Sequence, residues 1–183
     1  MASDVDPSLR SGQALMPDTP RRLFVLTALA TVVLDLITKL IAEATLLRTP
    51  GIPVFGDWLQ LRLVYNQGAA FGLHVGPYSR WIFFAVALVA VFVLARMSRT
   101  SPVGDRFRQI ALGLVAGGAA GNLIDRIRSG RGVVDFLDVG IGALRWPTFN
   151  VADRAVSCGA IALAISLWRE DTRRTESESV STA

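Results

Sequence analysis

Residues 23–47 read LFVLTALATVVLDLITKLIAEATLL, an apolar run interrupted by Asp35 and Lys39. A bilayer core needs about 20 mostly apolar residues per helix, and this run is long enough to cross one. A cleaved secretory signal has a shorter, uninterrupted apolar region ending at a small-residue cleavage site. Here the run continues beyond both charges, so a retained transmembrane helix is expected. Three further stretches match it: Trp81–Met97, the short glycine-rich Ile110–Ile124 beginning near Phe107, and Val151–Trp168. The expected fold is an all-α membrane protein of four transmembrane helices.

Composition agrees. The chain has 183 residues, of which 51% are hydrophobic, too apolar for an ordinary soluble domain and long enough for one domain. Its formal charge of +4 comes from eighteen Arg and a single Lys. These lie near helix ends, where basic groups anchor to headgroups and set orientation, so a nucleic-acid partner is not expected. Cys158 is the lone cysteine, and its place in the fourth apolar stretch suggests helix packing. With one His and one Cys, neither a zinc site nor a Ser–His–Asp triad has its parts. No phosphate-binding or dinucleotide fingerprint is present either, so no cofactor and no metal is expected.

Residues 1–20 are polar and are expected to form a disordered extension, as are residues 171–183, leaving 21–170 as the membrane domain. The connection Arg48–Arg80 contains Leu59, Leu61, Leu63 and Tyr65 alternating with Gln60, Arg62, Val64 and Asn66. Period-two alternation predicts a strand with one covered face. A small extracytoplasmic β element is therefore expected between helices one and two. With both termini inside, ten arginines fall on the cytoplasmic side against seven outside, which favours that orientation.

Four helices place the first and third connections on one membrane face, and the unusual polar groups gather there. Charged groups in or beside hydrocarbon cost several kcal/mol, so they are functional candidates. Asp35 and Lys39 are spaced i,i+4 on one helix face. They can form a structural ion pair, or also orient the site. The segment Asn66-Gln-Gly68-Ala-Ala-Phe-Gly72 can be a plain turn or a place of close backbone approach to a peptide. Gly113, Gly117 and Gly121 give the small-residue stripe of close helix packing. Asn122, Asp125 and Arg126 follow on one face, and an Asp125–Arg126 pair can satisfy itself locally, which favours a structural role for Asp125.

Asp135 lies in Gly132-Val-Val-Asp-Phe-Leu-Asp138, with no cation immediately beside it, and Asp153 lies one helical turn after Asn150. Two carboxylates in a poorly solvated place cannot both ionise cheaply, which would make one an acid and the other a base. Alternatively, Arg126, Arg128 or Arg154 satisfies both. A proton-coupled carrier or a membrane scaffold could also use such groups, although a carrier usually needs polar groups at the midplane as well.

Five ordered blocks, Asp35-Leu-Ile-Thr-Lys39, Asn66–Gly72, Gly117–Arg126, Val133-Val-Asp-Phe136 and Phe149-Asn-Val-Ala-Asp153, resemble the motif series of the bacterial lipoprotein signal peptidases (signal peptidase II). The resemblance covers roughly residues 23–168 and implies an aspartic endopeptidase of the bacterial inner membrane. It implies a diacylglyceryl-modified prolipoprotein as substrate, cut just before the lipidated cysteine, with membrane lipid as a partner and globomycin as an inhibitor. By motif, Asp135 and Asp153 are the catalytic dyad. Asn66, Gly68, Asn122, Arg126 and Asn150 would order the site and substrate, with Asp35, Lys39 and Asp125 in support.

Overall fold

The computed structural model describes residues 19–68, 76–102 and 104–181. Four long helices run through it: α1 (Thr19–Leu46), α2 (Ser79–Thr100), α3 (Arg106–Arg128) and α4 (Val151–Ser181). Their apolar spans run 23 to 27 residues, that of α2 taking in the short 3-10 turn from Gly76, enough to cross hydrocarbon at about 1.5 Å per residue. The large apolar side chains point outward: Leu26, Leu29, Val33 and Ile37 on α1 and Val86, Val89 and Phe92 on α2 are about half exposed or more. Meanwhile Asp35, Lys39 and Asp125 are fully buried. Apolar outside and charged inside is the arrangement a lipid solvent selects.

Helix α3 is the spine. Half of its apolar window is buried, against 17%, 11% and 22% in α1, α2 and α4. Its small residues make this possible. A methyl at Gly117 would sit 2.6 Å from the Ala28 carbonyl oxygen of α1. On the other side, a methyl at Gly118 would collide with the Ala152 carbonyl of α4. Asp105 caps the N-terminus of α3 by accepting the Arg108 N–H at 2.9 Å. At the other end Arg80 of α2 donates to the Arg126 carbonyl at 2.6 Å and the Ile127 carbonyl at 3.3 Å, satisfying carbonyls that the helix leaves open.

Between the helices lies one four-stranded antiparallel sheet in the order β1 (Ile52–Phe55), β2 (Leu59–Asn66), β3 (Val133–Ile141), β4 (Leu144–Arg145). The alternating segment is strand β2, as its pattern predicts. The β element is larger than expected, because half of it comes from the α3–α4 connection. Strand β3 pairs with β2 in the register Val64↔Asp135 and Asn66↔Val133. Phe136 packs on Ala42 and Leu46 of α1 with Leu61 and Leu63 of β2, seating the sheet on the helix ends.

Two expectations change. Residues 171–181, expected to lack fixed structure, continue α4 to Ser181. Extending an existing helix adds a hydrogen bond per residue with no new nucleation step. Cys158 is exposed on α4, along with Ile161 and Ile165 three and seven residues on, so it faces outward and does not join helix packing. Residues 1–18 lie outside the described residues.

Substituting Gly118→Val is expected to force α4 away from α3 and destabilise the protein by about 1–3 kcal/mol, the usual range for overpacking. Thermal unfolding in detergent checks this. A midpoint equal to the wild type would mean that the α3–α4 contact is looser than described.

Candidate active site

The site grows from Lys39. Its ammonium reaches Asp35 Oδ2 at 2.7 Å, Asp125 Oδ2 at 2.8 Å and Asn122 Oδ1 at 2.9 Å, which uses all three of its protons. Both acids also hold backbone. Asp35 Oδ1 accepts the Ala152 N–H at 2.9 Å, in the first turn of α4. Asp125 Oδ2 accepts the Val134 N–H at 3.1 Å, at the start of β3. The lysine thus fixes the two segments that carry Asp153 and Asp135. Gly121 leaves room for this, since a Cβ there would lie 2.5 Å from Asp35 Oδ2.

Asn122 carries the constraint onward. Because Lys39 can only donate, the Asn122 oxygen must face it, and the Asn122 amide nitrogen donates to Asp153 Oδ1 at 2.8 Å. Asn150 and Asp153 close a reciprocal cap on α4: the Asp153 N–H donates to Asn150 Oδ1 at 2.9 Å, and the Asn150 N–H donates to Asp153 Oδ2 at 3.2 Å. This is a capping box with Asp in the third helical position. The Asn150 amide nitrogen also donates to Asp135 Oδ1 at 2.7 Å, and Asn66 bonds the same carboxyl group.

The Asp135 carboxyl lies on β3, outside the spanning helices, and is 2% exposed. Burial, reinforced by the negative charge of Asp153, pushes its pKa up to about 7, against the opposing hydrogen bonds of Asn66 and Asn150 and the charge of Lys39. Among the described residues neither Asp135 nor Asp153 forms an ion pair. Arg128 instead pairs with Asp125 at 2.8 Å and Glu43 at 3.0 Å. Arg154 lies over the Phe149 ring at 3.7 Å. Arg126 donates to the carbonyls of Asn122 at 3.1 Å and Gly68 at 3.0 Å, pinning the end of the β2 connection to α3. Asn66 Oδ1 accepts the Gly68 N–H at 2.9 Å, shaping that turn.

Both carboxyls line an open cavity of about 340 Å³, together with Asn66, Gly68, Asn122, Arg126, Trp146, Thr148 and Phe149. All ten candidate residues thus fall in one connected network, while residues 69–72 of the Asn66–Gly72 motif and His74 lie outside the described residues. Asp138, further along β3 than Asp135, is tied to Arg145 at 2.7 Å and stands apart from the pair. Sequence reasoning missed Glu43, which binds Arg128, Arg131 and the Tyr65 hydroxyl. Its spacing of i+4 from Lys39 put it on the same helix face.

Fold and site define a class: a protein with four helices long and apolar enough to cross a membrane and two carboxyls, one with a raised pKa, on one cavity. The family model described as signal peptidase (SPase) II matches residues 27–169. The lipoprotein signal peptidase of Geobacter metallireducens is 38% identical over 156 residues, covering 85% of this chain and 96% of that protein. That of Rhodococcus jostii is 42% identical over 172 residues, covering 89% and 81%. A bacterial membrane enzyme solved by the in meso method at 2.3 Å superposes with a TM-score of 0.73 at 30% identity, covering 82% of this chain and 90% of that one. The chain belongs to the signal peptidase II family, and it is a membrane-embedded aspartic peptidase.

Removing the ammonium in Lys39→Met leaves two buried acids without their shared partner and is expected to destabilise by about 3–5 kcal/mol. Thermal unfolding in detergent measures it, and a loss below about 1 kcal/mol would contradict the central place of Lys39. A second expectation concerns pH. Unfolded, Asp135 titrates near 3.8, whereas folded it titrates near 7, so the native state holds the extra proton between these values. The stability this contributes is full below the lower value and is lost as pH rises through the upper one. The unfolding free energy of wild type relative to Asp135→Asn should therefore fall from about pH 4 to about pH 7, by at most about 1.4 kcal/mol per unit. A flat difference would rule out the raised pKa.

Proposed function

We propose that this protein removes the signal peptide from prolipoproteins already carrying diacylglycerol, cutting just before the lipidated cysteine, with Asp135 and Asp153 as the catalytic dyad. The observation that carries the reading is the unequal environment of two carboxyls on one cavity. Asp135 is buried with its pKa raised by burial and by Asp153. Asp153 receives two N–H donors, from Asn122 and from the Asn150 backbone, at the N-terminus of α4, where the helix dipole favours an anion.

On this reading Asp135 enters the reaction neutral and Asp153 ionised. Asp153 takes a proton from water as the water oxygen attacks the scissile carbonyl carbon, and Asp135 gives its proton to the carbonyl oxygen. When the tetrahedral diol collapses, the C–N bond breaks. Asp153 then protonates the leaving nitrogen and Asp135 recovers a proton from the diol. Asn122 and Asn150 hold the dyad in place, Asn66 hydrogen-bonds Asp135, and Arg126 orders the Gly68 turn at the cavity wall. Lys39 acts through Asp35 and Asp125, and these two through the backbone they hold.

The relatives' name, lipoprotein signal peptidase, supports the substrate class. A site at the membrane face lets the substrate's acyl chains stay in lipid while its peptide bond reaches the carboxyls. The arginine distribution supports both termini in the cytoplasm of a bacterial inner membrane, which puts the dyad toward the outer leaflet. Globomycin, as a cyclic peptide, would compete for the same cavity.

Purified protein in detergent, given a diacylglyceryl-modified prolipoprotein, should produce a faster-migrating product on a gel. Asp135→Asn and Asp153→Asn are each expected to lower the rate by about a hundredfold to ten-thousandfold, the range general acid–base groups contribute, while remaining folded. Full activity in either variant would sink the dyad. No cleavage by folded wild type would sink the substrate assignment.

A further inference from the structure

Among the described residues, the largest apolar exposure outside the spanning helices is at one end of the sheet. Phe55 is 67% exposed, Trp58 56%, Ile141 74% and Leu144 84%. They flank the two turns β1–β2 and β3–β4. These turns are tied side by side, because the Gly142 N–H donates to Asp57 Oδ2 at 2.5 Å and the Gly140 N–H donates to the Trp58 carbonyl at 3.0 Å. This tip is at the opposite end of the β2–β3 pair from Asn66 and Val133, and so away from the dyad. Nothing in the catalytic reading uses these four side chains.

We infer that this tip inserts into the headgroup and upper acyl region of the same leaflet that the dyad faces, as a second membrane anchor beside the four helices. Three observations favour lipid as the occupant. First, exposed apolar side chains lead along the chain from the end of α1 to the tip: Leu47 is 56% exposed, Ile52 40%, Val54 45% and Phe55 67%.

Second, the tip combines an exposed tryptophan with a phenylalanine and two large aliphatic side chains, the composition that sits at membrane–water interfaces. Third, its acid is already occupied. Asp57 accepts from Gln60 at 2.9 Å, Arg145 at 3.3 Å and the Gly142 N–H, and Arg145 also covers Asp138. An apolar tip whose carboxylates are paired can enter the interface at little electrostatic cost. A second copy of the chain is the rival occupant. Pairing through the β1 edge is hindered by Pro53, which has no N–H to offer.

The test uses the full chain in phosphatidylcholine vesicles. Of the four tryptophans, Trp81, Trp146 and Trp168 are changed to Phe, leaving Trp58 as the reporter. Brominated acyl chains should lower its emission at least twofold relative to unbrominated lipid. That quenching should be unchanged when the protein is diluted tenfold in lipid. In the Phe55→Ser/Leu144→Ser background, which alters exposed positions only, the quenching should fall by half or more. Emission that bromination leaves unchanged overturns the inference. Quenching that grows on dilution into lipid also overturns it, because Trp58 is then released from a second copy. Neither readout depends on peptidase activity, so failure here leaves the catalytic reading standing.

Discussion

A single buried ammonium organises this structure. Lys39 lies with 0% exposure against two equally buried carboxylates and one amide oxygen. Burying charges is expensive unless each is paired and hydrogen-bonded, and here each of the three partners also makes a bond elsewhere. Asp35 reaches the first turn of α4, Asp125 reaches β3, and Asn122 reaches Asp153. The interaction therefore does more than join α1 to α3. It converts one helix–helix ion pair into the relative placement of the strand and the helix that carry the two remaining acids.

That placement makes chemically similar groups unequal. Asp135 is on a strand covered from both sides, so its charged form is disfavoured. Asp153 occupies the third position of a helix, where its carboxylate closes a capping box that many soluble helices use only for stability. The polar side chains around both acids are largely amides, which can donate without carrying charge. A cation in direct contact would instead favour the ionised form of each carboxyl. Arg126 contributes its field from a position fixed by the Asn122 and Gly68 carbonyls, outside direct contact with either acid.

The sequence made the four spans legible because lipid demands long apolar runs, and it made β2 legible because Leu59, Leu61 and Leu63 alternate with polar neighbours, although only Arg62 of that strand is exposed. Strand β3 was hidden for the converse reason. Val133, Val134, Asp135 and Phe136 are all buried, and a strand buried on both faces has no alternation to find. The candidate residues were legible as types and spacings, while the partners were not. Asp125 looks paired with its neighbour Arg126, yet the structure gives it Lys39 and Arg128. A sequence shows which groups need a counter-charge, and only the fold decides which distant one supplies it.

Helix α3 shows why packing and chemistry could not evolve separately here. Its glycine face brings α1 and α4 close enough for backbone contact, and one residue past Gly121 the same helix turns polar with Asn122. The close approach is what puts Asp35 within reach of Ala152 and Lys39 within reach of Asn122. Wider spacing would leave those bonds to water, which the hydrocarbon does not offer. In a soluble enzyme the core can be repacked around a site that stands at its edge. In this bundle the core is the support of the site, so a methyl group on α3 and a charge on α1 act on the same geometry.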